Sequence, residues 1–183
     1  MTQLAKRPDI YLTAFRSLGG DIPTPVSDLR DHGFSRFLAL GFPTTTLERW
    51  RFTNVSPIAS GDFTLGVPTD VKSSAVDPFE LQGVTGPQAV FVNGRFVPGL
   101  SRAHEIPGVE VRSLADLMRT QLELVTPYLG RIAGFEDQAF TALNTALMQD
   151  GAVVLIADDA VIEKPLHLLF LTTAKEKDRK SVV

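Results

Sequence analysis

The sequence contains no cysteine, which excludes disulfides and thiolate-held metals within its 183 residues. Histidine is scarce too. His32, His104 and His167 are widely separated, so no H-x-x-x-H ligand spacing exists. There is no G-x-x-x-x-G-K-[ST] run for an ATPase phosphate loop and no G-x-S-x-G elbow for a hydrolase. No apolar stretch approaches the ~20 residues of a membrane span. The opening MTQLAKRPDIYL has no continuous apolar region of the kind a secretory signal needs. Neither sign of charge dominates: 18 basic residues face 21 acidic ones, for a net charge of −3. That balance argues against a nucleic-acid footprint and against a polybasic membrane patch. With 44% apolar and 21% charged residues, the composition is that of an ordinary globular chain, expected in the cytoplasm.

What is present is careful punctuation. Tyr11, Phe15 and Leu18 recur at helical spacing before Gly19-Gly20. A second helix is expected from Val26 to Leu40, with Val26, Leu29, Phe37 and Leu40 on one stripe. Gly33 lies inside it, either at a close helix contact or at a break. Gly41 then closes the helix in a left-handed conformation, Phe42 packs back, and Pro43 forbids continuation. In GFPTTTLERWRFT, Thr45 and Glu48 form a T-x-x-E capping box for a new short helix. Leu47, Trp50 and Phe52 would give that helix a buried face, anchored by the single tryptophan.

Beyond Ile58 the pattern turns to strands. Phe63, Leu65 and Val67 alternate with polar residues, and 68–88 reads as a surface loop. In AVFVNGRFVPG, Asn93-Gly94 between apolar residues is a hairpin signal. Val109–Val111 suggests another strand, and Ser113-x-x-Asp116 opens a helix. Ala139, Phe140, Leu143, Ala146 and Leu147 make a helical stripe that stops near Gly151. Val153–Ile156 and Leu166–Leu171 are nearly continuous apolar runs, suited to strands covered on both faces, as in parallel sheets and β-helices. Asp158-Asp159 marks the turn between them. The fold class expected is α+β, with residues 1–150 a helical region carrying a small sheet (loop-rich over 61–112).

The segments Phe42–Thr53 and Leu143–Leu166 resemble the FPT-x-x-x-E-x-W-[RKY]-[YF]-T and LN-x-A…DG…P-[IL] elements of the SufB/SufD family of the SUF iron–sulfur assembly system. The position of the first element resembles the N-terminal part of SufD more than that of SufB. The resemblance implies a helical N-terminal region leading into a right-handed parallel β-helix, of which 151–183 would be the truncated first rung. It also implies SufB and SufC homologues as partners, a homodimer through the β-helix as a further pairing, and no enzymatic activity. Iron or the cluster would be handled by the whole complex, through residues beyond Val183, with no cofactor in this stretch.

The remaining candidates have plain readings. His167 falls in an apolar strand as a satisfied or strand-edge histidine, and the Asp158-Asp159 pair reads as a turn rather than a cation site. KEKDRK, Lys175–Lys180, is a solvated loop or a dock for an acidic surface. Two alternatives stand beside the SUF reading: a β-helix interaction module unrelated to iron–sulfur assembly, and a β-helix carbohydrate-active enzyme such as a polysaccharide lyase. One rung alone leaves strand edges open, so the two late strands are expected to pair with a second copy or with the hairpin at Asn93-Gly94.

Overall fold

A computed structural model describes residues 8–19, 22–61, 63–81, 83, 86–102, 107–173 and 180–182. Its helices are α1 (Pro8–Arg16), α2 (Thr24–Leu40), α3 (Ser56–Ala59), α4 (Leu114–Thr120) and α5 (Ala139–Leu147). Its strands are β1 (Phe63–Leu65), β2 (Gln88–Val92), β3 (Arg95–Phe96), β4 (Val109–Ser113), β5 (Ala152–Ile156), β6 (His167–Leu171) and β7 (Lys180–Val182). The mixture is α+β, as expected. Contacts divide the chain into two units, one drawn from Met1–Leu65, Leu122–Met148 and Ala174–Val183, the other from Gly66–Gln121 and Gln149–Thr173.

The first unit is built on α2 against α5. A Cβ added at Gly33 would stand 3.0 Å from the Ala142 carbonyl oxygen and 3.0 Å from the Ala146 nitrogen. Gly33 is therefore the close contact, and Ala142 and Ala146 are its small counterparts on α5. Around this crossing Tyr11, Phe34, Phe37, Phe42, Phe135, Leu143 and Leu147 form one core. Burial pushes the Tyr11 phenol up to about 12, and its hydroxyl donates to the Ile58 carbonyl at 3.3 Å. Arg30, buried on α2, donates to the Met148 carbonyl just past α5. Gly41 closes α2 with φ +64°, its N–H bonded to the Phe37 carbonyl at 2.8 Å, and Phe42 packs back edge-on to Phe37. That stop is as the sequence predicts.

The segment after it differs. No capping box forms: Glu48–Trp50 is a single 3-10 turn preceded by an extended Leu47, with no side-chain cap. The chain advances instead by successive i to i+3 bonds, Trp50 to Leu47, Arg51 to Glu48 and Thr53 to Trp50. Thr44 and Thr46 bond each other through their hydroxyls at 2.5 Å. One tight turn leaves too few orphan donors to need reciprocal caps. Nor is the expected apolar face buried. Trp50 is half-buried against Phe140, Leu47 is exposed, and Phe52 is 93% exposed with the Arg51 guanidinium 5.4 Å over its ring. An apolar set spanning a single turn has no helical face to share, so its members point different ways.

The first unit also holds a parallel pair, β1 with β7, in the register Phe63↔Lys180 to Leu65↔Val182. This last strand takes in Lys180, the final residue of the run read as a solvated loop, and Val183 lies outside the described residues.

In the second unit β2 is central, antiparallel to β3 and parallel to β6. The hairpin turn has Asn93 at φ 49° and Gly94 at φ 77°. This is the two-residue arrangement with both centres left-handed, which explains Asn-Gly there. All of β2 is buried. One of its faces meets Val76 and Leu169, the other Val111 and Ala152. β4 and β5 form a separate antiparallel pair, Val109↔Ile156 to Ser113↔Ala152. β6 therefore pairs with the hairpin, as expected of one late strand, while β5 joins β4.

Candidate partner-docking surface

Asp150, the acid of the Asp150-Gly151 step, organises the second unit. Its Oδ1 accepts from the Ser113 hydroxyl (2.8 Å), the Ala115 N–H (2.9 Å) and the Gly151 N–H (2.8 Å). Its Oδ2 accepts from the Phe96 N–H at 2.8 Å. One carboxylate thus joins β3, the start of α4 and the entry to β5. Ser113 in turn caps α4 by accepting from the Asp116 N–H at 3.0 Å, the cap that Ser113-x-x-Asp116 predicts. Beside it Arg95 donates to the Gln149 side-chain carbonyl.

This frame presents two outer strands. In the β4–β5 and β2–β6 pairs, one strand is covered and its partner is not. Val109 and Val111 on β4 are buried, whereas their partners on β5, Ile156 and Val154, are exposed on the same face. Ala89 and Phe91 on β2 are inaccessible, whereas their partners on β6, Leu168 and Phe170, are 38% and 52% exposed. Phe170 stacks on Phe91 at 4.8 Å between ring centroids, which carries the buried aromatic face outward. Among the described residues nothing pairs with the second edge of β5 or β6. Solitary edges are normally guarded by charge. β4 follows that rule with Glu110 and Arg112, but AVVLI and HLLFL carry no acid, lysine or arginine.

The sequence candidates fall elsewhere. His167 shares Nδ1 with the Gln88 side-chain amide at 3.0 Å, the satisfied strand histidine expected. His32 lies on α2 in the first unit, 3.3 Å from Glu136. His104 lies outside the described residues. Asp158-Asp159 is a turn, with Asp159 at φ 61°. Of KEKDRK only Lys180 is described, at the start of β7. Among the described residues no three His, Asp or Glu side chains come together to hold a metal ion. None of their helices is long and apolar enough to cross a membrane.

A concavity of about 340 Å³ opens between Phe96, Pro98 and Ser101 on one side and Val109–Arg112 on the other. Among the described residues that line it, the one cation is committed within the protein. Arg112 bonds Asp116 at 3.2 Å and Glu110 at 3.0 Å, and these hydrogen bonds, Asp116 first, raise its pKa above the ordinary value. The open strands are the stronger candidate. Sequence reasoning found them as strands but missed Asp150 as their organiser, for which the only local signal is the Asp-Gly step before an apolar run.

Comparison with known proteins bears on what this surface belongs to. The family model described as the SufBD protein N-terminal region matches residues 4–168. A curated relative from Synechocystis, named an iron–sulfur cluster assembly SufBD family protein, is 34% identical over 135 residues, which is 73% of this chain. The matched stretch spans 30% of the relative's length. With nearly the whole chain covered by the family's N-terminal region and both resemblance segments inside the match, the chain belongs to the SufBD family.

Proposed function

We propose that this chain is the N-terminal portion of a SufD-type component of a cytoplasmic SUF complex, working with SufB and SufC homologues to build and deliver iron–sulfur clusters. Its role is that of a structural partner rather than an enzyme. Family membership supports the iron–sulfur reading, and the Synechocystis relative carries that function in its name. The observation that carries the partner role is the pair of unguarded outer strands, β5 and β6, whose apolar faces run out of cover. On this reading they are the first course of the parallel β-helix that the resemblance implies, and further strands add to their free edges. The same match weighs against an unrelated β-helix enzyme.

The test is co-purification of the full-length protein with the SufB and SufC homologues of the same organism. A stable ternary complex is expected. Its failure to form, where SufB and SufC alone do associate, would sink the proposal. Light scattering on the isolated 183-residue chain addresses the competing occupant, a second copy paired through β6. Concentration-dependent dimers lost in Phe170→Lys would assign the edge to self-association.

A further inference from the structure

The Asn93-Gly94 turn holds a chemical liability under lock. Asparagine before glycine is the dipeptide most open to deamidation, because glycine has no Cβ to obstruct attack by its own backbone nitrogen. In that reaction the Gly94 nitrogen, losing its proton, bonds to Asn93 Cγ, and Nδ2 leaves as ammonia. The succinimide so formed is opened by water at either carbonyl, giving aspartate or isoaspartate. Only water is consumed. For the ring to close, the side-chain amide must swing onto the following peptide.

In this fold the amide is pinned at both ends. Nδ2 faces the Thr173 hydroxyl at 2.8 Å, the Val67 carbonyl at 3.0 Å and the Thr69 hydroxyl at 3.2 Å. Oδ1 accepts from the Thr173 N–H at 2.9 Å. The residue is buried, and its backbone N–H bonds the Leu171 carbonyl at 2.8 Å. Two other chain segments, 67–69 and 171–173, are thus tied to the hairpin through one residue. Cyclisation would break every one of these side-chain bonds and remove a turn residue from the left-handed conformation that the hairpin needs.

We infer that Asn93 is a fold-gated deamidation site: stable while the hairpin and its Thr173 clamp are closed, and converted when this region opens. The product cannot restore the clamp. A carboxylate at position 93 has no donor for the Val67 carbonyl, so that bond is lost and a negative charge is buried beside the carbonyl oxygen, even where the threonine hydroxyls turn to donate to it. Opening is thereby recorded as an irreversible lesion in the turn that follows β2, next to its pairing with β6. The other asparagines, Asn54 before Val55 and Asn144 before Thr145, precede β-branched residues and serve as slow internal references.

The test is peptide mass spectrometry with isoaspartate quantification, on the native protein and on the same protein in concentrated guanidinium chloride at one neutral pH. Native Asn93 should convert at least roughly tenfold more slowly than the denatured chain, since reaction requires local opening. Thr173→Val, which deletes one acceptor from the clamp, should raise the native rate and leave the denatured rate unchanged. Equal native and denatured rates in the wild type would overturn the inference. So would a Thr173→Val protein whose native rate matches the wild type.

Discussion

Deleting the Asp150 carboxylate is the sharpest test of how the second unit is assembled. Four donors converge on it, and they are not equivalent. The Ser113 hydroxyl can rotate to another acceptor, but the Phe96 and Ala115 N–H groups are fixed by β3 and α4. In Asp150→Ala at least these two lose their acceptor, at about 1–3 kcal/mol each. Asp150 is only half-buried, so water relieves part of this, and a loss of about 3 kcal/mol is expected. Asp150→Asn should do less harm. Its carbonyl can keep the Oδ1 set of Ser113, Ala115 and Gly151, while its NH₂ meets the Phe96 N–H donor to donor, for about 1–2 kcal/mol. The expected order of stability is wild type, then asparagine, then alanine. Trp50 lies in the other unit and is a poor reporter, so the assay is urea-dependent hydrogen exchange read on β2 and β4. An alanine variant within about 0.5 kcal/mol of wild type, or an asparagine variant as damaged as alanine, would refute Asp150 as the organiser.

Two further outcomes concern the first unit. Gly33→Ala gains about 1 kcal/mol of helix propensity. Its new methyl, however, meets backbone atoms of α5 at 3.0 Å, so the helices must separate at ~1–3 kcal/mol. Net destabilisation of about 1 kcal/mol is expected in urea melts followed by Trp50 fluorescence, and equal or greater stability would contradict the close crossing. For Tyr11 the unfolded phenol ionises near 10, whereas the folded one holds its proton to about 12. Its contribution is therefore intact below pH 10 and drains away as pH rises through that window. Wild-type stability should fall relative to Tyr11→Phe between pH 10 and 12, and parallel curves for the two proteins would show that the phenol ionises alike in both states.

Most local signals in the sequence proved dependable, the Thr45–Glu48 capping box excepted. The Asn93-Gly94 hairpin, the Ser113 cap, the Gly41 stop and the α5 stripe each depend on residues a few positions apart, and each formed as expected. Burial around Trp50 was misread because one turn of chain does not determine what lies opposite it. Strand partners were equally hidden: VVLI and LLFL have the same texture, yet β5 joins β4 antiparallel and β6 joins β2 in parallel. The roles of Asp150 and Asn93 were invisible for a related reason. Their partners come from separate stretches, and nothing in the neighbouring residues announces a side chain that ties together three segments.

The parallel pairing of β2 with β6 sets a schedule for a chain that emerges from the ribosome N-terminus first. Gln88 and His167, partners at one end of the ladder, are 79 positions apart. At about 5–20 residues per second, β2 waits roughly 4–16 seconds for the strand that completes its edge. In that interval QAVFV, fully buried in the finished protein, is held by the two-residue β3 alone. The nascent chain thus passes through a period in which the strand most deeply buried in the finished protein is available to any other strand nearby. Slower translation across residues 93–167 lengthens that exposure, and a chaperone that covers short apolar segments would have its main work there.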